Sequence, residues 1–381
     1  MYYITLFWKD KIIILGGVDL KKRIISFLII IFTLFSNPNP LVSKDMVLSG
    51  ESYILIEENS GRVLASQDEH KKMPIASTTK IMTALIALEN GNLQDQIKIN
   101  DDCIDIEGSS IYLERKEIIN LKDLLYGLML RSGNDAAIAI SQNISNNQNE
   151  FIKMMNNKAK SINANNTNFT NPHGLNHDKH YSTAYDLALI TKEAFKYQAF
   201  EEIVKTKSYT ADRKNNNNFI NKNKTLWEYE DGDGVKTGYT MKSGRCLVSS
   251  ATKNNMRLIA VSLNAKNWFN DNYQLLDYGF ENFTNHLIYD KNQFITNVDI
   301  KDGKEQLKVV TKQDFIYPLN PTEKKQIKFK ITLDENITTP IYKGDVVGNI
   351  NTYLNGVLIK KDELIGGNNV NKLNFIHNLL K

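Results

Sequence analysis

Between Pro74 and Gly91 runs a stretch, Ile75 to Leu88, whose apolar residues point in nearly every direction around a helix. A surface helix carries one apolar stripe, so a helix that is apolar nearly all round must be enclosed by other elements. Pro near its start and Asn90-Gly91 at its end mark its boundaries. Enclosing a helix takes a large domain. The 381 residues suffice for one large domain and a smaller one.

Tyr53 to Glu57 and Val63 to Ala65 flank Asn59-Ser60-Gly61 and read as a β-hairpin. Leu121 to Ile140 is helical, interrupted by Arg131-Ser132-Gly133-Asn134. Thr183 and Asp186 have the spacing of a capping box that opens another helix. Gly234 to Tyr239, Leu247 to Thr252 and Arg257 to Leu263 read as strands, with Asn254-Asn255 as the last turn. Strands at both ends and helices between predict an α+β fold, one antiparallel sheet covered by helices, over residues 44–285. From Gln293 to Leu364 short strands and turns predominate, which predicts a small all-β domain over 286–366. In the tail, 367–381, Val370, Leu373, Ile376, Leu379 and Leu380 fall at helical spacing, as in an amphipathic membrane-surface helix, a helix packed on the body or a frayed end.

Residues 1–43 read as an export address. Lys21-Lys22-Arg23 precedes the apolar run Ile24 to Phe35, then Pro38 and Pro40, then Leu41-Val42-Ser43 as a cleavage site. This is the layout of a signal peptide, and the run is short for a membrane span. Residues 1–20 precede the charged stretch and read as an upstream extension, with Leu20 giving a more conventional start. The body is therefore expected to be exported. The net charge is +4, of which Lys9, Lys11, Lys21, Lys22 and Arg23 against Asp10 and Asp19 contribute +3. The near-neutral remainder does not suggest nucleic acid as a partner. Two cysteines, Cys103 and Cys246, cannot build a disulfide framework and read as small buried hydrophobes. Asn215 to Asn218 is a compositionally biased surface loop.

Three short motifs carry chemistry. Ser77-Thr78-Thr79-Lys80 opens the buried helix, where residues i and i+3 share a face. A serine hydroxyl needs a base to become a nucleophile, and a lysine whose pKa is lowered by burial and nearby positive charge can be that base. In Ser132-Gly133-Asn134, Ser132 can relay a proton to a leaving amine, and Asn134 can serve both Lys80 and a substrate carbonyl. In Lys236-Thr237-Gly238, on a predicted edge strand, Lys236 and Thr237 suit a substrate carboxylate. Gly238 admits a substrate backbone that adds along the strand. Each motif alone is weak. Their order and contexts together point to serine acyl transfer.

In these motifs the chain resembles the low-molecular-mass penicillin-binding proteins, D-alanyl-D-alanine carboxypeptidases with the serine β-lactamase/DD-peptidase fold. The resemblance rests on Pro74 to Thr83, Asp123 to Leu130 with Ser132 to Ala137, Asn171-Pro172-His173-Gly174-Leu175, Tyr181 to Ala188 and Gly234 to Thr240. It extends from about residue 50 to 281, and more loosely into the β region. It implies that Ser77 is acylated by the penultimate D-alanine of a peptidoglycan stem peptide. Lys80 would be the base and Ser132 would pass a proton to the departing D-alanine. The backbone N–H groups of Ser77 and Tyr239 would form the oxyanion hole. Asn134 and Thr237 would hold substrate, with Lys236, Gly238 and Tyr239 also on the substrate-binding strand. β-Lactams would inhibit by acylating Ser77. The implied place is the outer face of the cytoplasmic membrane or the cell-wall space of a bacterium, with no cofactor and no metal.

Many members of that family carry an arginine shortly before the segment that here is Leu275 to Phe280. This chain has Lys266-Asn267-Trp268-Phe269-Asn270-Asp271 there, with Lys266 as a point-charge substitute and Trp268 and Phe269 as packing or cleft-lining residues. His173, His177 and His180 share a loop but fit no common zinc spacing, and His173 is expected to shape the cleft edge. Thr167 to Leu175 contains no Glu or Asp, which argues against a class A β-lactamase. A D,D-endopeptidase is the nearer rival. A serine glutaminase and a non-catalytic wall-binding protein fit less well.

Overall fold

The computed structural model describes residues 4–6, 12–14, 46–145 and 147–373. The chain forms two compact units, Asn39–Glu281, and Asn282–Lys381 together with Met1–Pro38.

In the first unit, β1 (Ser52–Glu57) and β2 (Val63–Gln67) form the expected hairpin. β3 (Gly232–Thr240), β4 (Gly244–Lys253) and β5 (Met256–Leu263) complete an antiparallel sheet in the order β2-β1-β5-β4-β3. β3, which carries Lys236-Thr237-Gly238, is therefore an edge strand. The turn between β4 and β5 places both Asn254 (φ 50°) and Asn255 (φ 59°) in the left-handed region. Asparagine tolerates that region, and its twist matches that of the flanking strands.

The central helix α1 (Lys80–Asn90) is buried from Lys80 to Ala87, consistent with its all-round apolar character. It starts later than the apolar run, because Ala76–Thr79 winds as a 3₁₀ turn. Gly91 ends it in an extended conformation rather than a left-handed cap. A Cβ there would meet Ile144 Cδ1 and Leu121 Cδ2 at 2.6 Å each, so both side-chain ends would have to shift to admit one. The interrupted helix resolves into α2 (Leu121–Tyr126), a wider π turn (Gly127–Arg131) and α3 (Asn134–Ile144). At the opening of α4 (Ala184–Ala194), Thr183 Oγ1 accepts from Asp186 N. Asp186 does not complete the box; its carboxylate accepts from Asn166 N and Thr167 Oγ1. Cys103 and Cys246 are both buried and free.

The second unit is all-β. Its main sheet contains Phe294–Val298, Leu307–Thr311, Val357–Gly366, Val346–Leu354 and Ile327–Leu333 in that order, then the short strands Ile4–Leu6 and Ile12–Ile14. The expected helix at Val370 is corrected for its described part. Val370 bridges to Ile341 and Lys372 to Gly303, and Val370 is buried in the core of this unit. The apolar side chain is used by the β core, so its spacing does not report a helix. Residues 374–381 and the run Ile24 to Phe35 lie outside the described residues. No helix among the described residues is long and apolar enough to cross a membrane.

Candidate active site

Ser77 sits on the 3₁₀ turn ahead of α1. Thr78 Oγ1 donates to Ile75 O at 2.6 Å and Thr79 Oγ1 to Ala76 O at 2.8 Å, short bonds that tighten the turn. Ala76 lies at φ 46°, an uncommon conformation for a residue with a Cβ. The Ser77 side chain is half-buried, while Lys80 is wholly buried.

The Lys80 amine has three partners: Ser77 Oγ at 3.1 Å, Asn134 Oδ1 at 2.7 Å and His173 O at 2.6 Å. None is a carboxylate. Burial pushes the Lys80 pKa well below the ordinary lysine value; Lys236 and Lys222 push the same way, and Asp135 opposes them. A neutral amine has two N–H bonds, enough for Asn134 Oδ1 and His173 O. Its lone pair is then left for the Ser77 hydroxyl.

Asn134 opens α3 and links the second motif to the first. Besides Lys80, it engages the loop in front of it, with Nδ2 donating to Glu107 O at 2.5 Å and its backbone N to Ser109 O at 2.7 Å. Ser132, buried at φ 64°, is the hinge between the π turn and α3. On β3, Lys236 is 2% exposed and donates to Thr237 O at 2.9 Å. Burial, then Lys222, holds its pKa down to about 7. A Cβ on Gly238 would lie 2.9 Å from Ser77 N and 3.1 Å from Thr78 N, so the strand backbone abuts the Ser77 turn. The structure thus joins Ser77, Lys80 and Asn134 by hydrogen bonds, and Gly238 by backbone contact. Thr237 is half-buried and Tyr239 exposed. Among the described residues their side chains form no hydrogen bond to Ser77, Lys80 or Asn134.

Several supporting residues are not apparent from the motifs. His180 Nε2 lies 2.8 Å from Thr79 Oγ1, and its Nδ1 accepts from Thr170 N at 3.1 Å, so the ring ties a remote loop to the Ser77 turn. Burial is the main force lowering the pKa of His173 to about 3 and of His180 to about 4, which keeps both rings neutral. His177 is exposed, and among the described residues no three His, Cys, Asp or Glu side chains could hold a metal. Gly174, at φ 92°, passes so close that a Cβ would sit 2.0 Å from Ala76 O. Asp135, next to the second motif, accepts from Ile111 N and Leu113 N. In the segment lacking an arginine, Lys266 is exposed and its carbonyl accepts from Arg245 Nη1 at 2.9 Å. Asp271 is buried against Ser49 N and Oγ. Trp268 and Phe269 pack edge to face at 4.9 Å.

Residues 40–267 match the D-alanyl-D-alanine carboxypeptidase family, and residues 283–372 match the C-terminal domain of penicillin-binding protein 5. The chain is 33% identical over 377 residues to a D-alanyl-D-alanine carboxypeptidase of Bacillus subtilis (strain 168), covering 93% of this chain and 96% of that one. It is 34% identical over 347 residues to another from Escherichia coli (strain K12), covering 86% of each. The crystal structure of penicillin-binding protein 5 from Haemophilus influenzae superposes with a TM-score of 0.75 at 29% identity, covering 87% of this chain and 100% of that one. With a sheet and C-terminal β unit of the same architecture, the chain belongs to the serine-type D-alanyl-D-alanine carboxypeptidase family, among the low-molecular-mass penicillin-binding proteins.

Proposed function

We propose that this protein removes the terminal D-alanine from peptidoglycan stem peptides through an acyl-enzyme on Ser77, and that β-lactams acylate the same serine. The observation that carries this reading is the buried Lys80 amine, 3.1 Å from Ser77 Oγ and, among the described residues, without a carboxylate partner. Lys80 takes the Ser77 proton as the hydroxyl attacks the carbonyl of the penultimate D-alanine. The N–H groups of Ser77 and Tyr239 receive the developing oxyanion; the close approach of Gly238 to the Ser77 backbone supports that pairing. Ser132 passes a proton to the amine of the departing D-alanine. Asn134 and Thr237 hold the peptide, with Lys236 as the cation for its carboxylate. Water then releases the shortened peptide. Residues 1–43 serve as the export signal, 44–285 as the catalytic domain and 286–366 as an appended β domain. The protein works outside the cytoplasmic membrane.

Incubating the exported protein with purified pentapeptide and with cross-linked muropeptides tests this. Free D-alanine from the pentapeptide alone is expected. Cleavage of cross-links would make the protein an endopeptidase, and no product from either substrate would remove both assignments.

The acylation rate should fall at low pH as Lys80 gains a proton. Lys236 is one of the cations that disfavour protonated Lys80. Lys236→Met therefore raises the Lys80 pKa, and the acidic limb should move to higher pH. A pH profile of Ser77 labelling by fluorescent penicillin reads this; a limb that stays or moves to lower pH contradicts the electrostatic account.

A further inference from the structure

The partners of His180 fix where its ring hydrogen sits, and the bonds that follow lead to the nucleophile. Thr170 N is a backbone group that can only donate, so His180 Nδ1, 3.1 Å away, carries no hydrogen. Burial holds the pKa of the ring at about 4, so the ring is neutral and its one hydrogen is on Nε2. Nε2 therefore donates to Thr79 Oγ1 at 2.8 Å, across 101 positions of chain. The Thr79 hydroxyl then gives its own hydrogen to Ala76 O at 2.8 Å. Thr79 is wholly buried and His180 nearly so, which keeps solvent from both bonds.

The last acceptor in this chain belongs to the peptide group that contains the Ser77 N–H. The 76–77 peptide is trans. A trans peptide is planar, so its oxygen and its hydrogen point in opposite directions. The surroundings agree. A Cβ on Gly174 would meet Ala76 O at 2.0 Å, whereas a Cβ on Gly238 would meet Ser77 N at 2.9 Å. The oxygen thus faces the loop that carries His180, and the nitrogen faces β3. Ala76 lies at φ 46°, a conformation that alanine keeps only where its surroundings hold it. The bond from Thr79 to the Ala76 carbonyl is one of those restraints.

We propose that His180 is a positioning residue for the oxyanion site: its Nε2–H sets the Thr79 hydroxyl on Ala76 O and so aims the Ser77 N–H at the oxygen of the carbonyl under attack. This rests on the acyl-enzyme reading above. A donor aimed at charge that develops in the transition state acts chiefly at that moment, so a tilted N–H slows acylation without weakening ground-state binding.

Two conservative variants separate the two ends of the ring. The amide of His180→Asn reaches the Nδ1 position and still accepts from Thr170 N, but leaves Thr79 without its donor. The amide of His180→Gln reaches the Nε2 position and restores the bond to Thr79, while losing the one to Thr170. Each variant loses one buried hydrogen bond, so the two should lower Tm alike. With saturating fluorescent penicillin, His180→Asn should slow acylation of Ser77 about tenfold at an unchanged apparent Kd, less than the loss of roughly 100-fold or more when an oxyanion donor is removed outright. His180→Gln should recover the rate to within about threefold of the unaltered protein. Thr79→Val removes the hydroxyl and should be at least as slow as His180→Asn, and the double variant should be no slower than Thr79→Val alone. A purely structural role would slow the Asn and Gln variants alike, in step with Tm, and would overturn the proposal. Additive effects of His180→Asn and Thr79→Val would overturn it too, as would a raised Kd at an unchanged rate. These rates report acylation by penicillin and do not depend on the peptide substrate. If the unaltered protein takes up penicillin but releases no D-alanine from Nα,Nε-diacetyl-L-lysyl-D-alanyl-D-alanine, the carboxypeptidase reading fails, and the role of His180 is still decided by the labelling rates.

Discussion

Lys80→Met is expected to slow acylation of Ser77 by about 1,000-fold or more, within the range that positioned general bases contribute. The variant is informative because the lysine stem is wholly buried. Methionine nearly matches the lysine stem, and no charge is stranded in a position that is wholly buried. Two acceptors, Asn134 Oδ1 and His173 O, lose their donor. Each unsatisfied buried acceptor costs about 1–3 kcal/mol, offset in part because an amine no longer has to be desolvated. The fold should therefore survive with modestly altered stability while the chemistry is lost. Lys80→Arg should be as inactive, because a guanidinium keeps its proton. Stopped-flow labelling with fluorescent penicillin measures the rate, and a Tm confirms folding. Labelling within about tenfold of the unaltered rate would assign the base elsewhere.

Gly174→Ala is expected to destabilise the first unit by about 2–4 kcal/mol, the range of overpacking joined to backbone strain. The added Cβ would sit 2.0 Å from Ala76 O and 2.5 Å from Ala76 C, on a residue at φ 92°. Neither side can retreat cheaply. Ala76 is already at φ 46°, and Thr79 Oγ1 is engaged by Ala76 O and His180. The turn that carries Ser77 must move, so penicillin labelling should slow together with stability. A urea midpoint shift at unchanged slope reads the stability. A loss under about 0.5 kcal/mol, the scatter of neutral surface changes, would show that the loop is free to relax.

The three motifs were legible because their chemistry is local. Ser77 and Lys80 stand one turn apart, so helical spacing alone brings hydroxyl and amine to 3.1 Å. The buried helix, the hairpins and the edge position of β3 were legible for the same reason, since periodicity and turn residues act over a few positions. The tail misled because Val370, Leu373 and their neighbours satisfy helical spacing while Val370 serves a β core. Capping was half legible: Thr183 acts as read, but Asp186 turns to Asn166 and Thr167, partners that its own segment does not reveal.

What the sequence by itself determined is the order of the three motifs along the chain and the pair proposed as nucleophile and base, Ser77 and Lys80. Only the tertiary structure decided how that pair is set for chemistry. Burial and the cations of Lys236 and Lys222 lower the Lys80 pKa, and the His173 carbonyl, 93 positions away, takes one of its hydrogens. Gly174 and His180 brace the Ser77 turn from a loop that nothing local connects to it, and Arg213 fastens the backbone at Tyr112 from 101 positions away. These features depend on desolvation and on contacts between distant segments. Such quantities exist only once the chain has closed on itself, so no short window of residues can carry them.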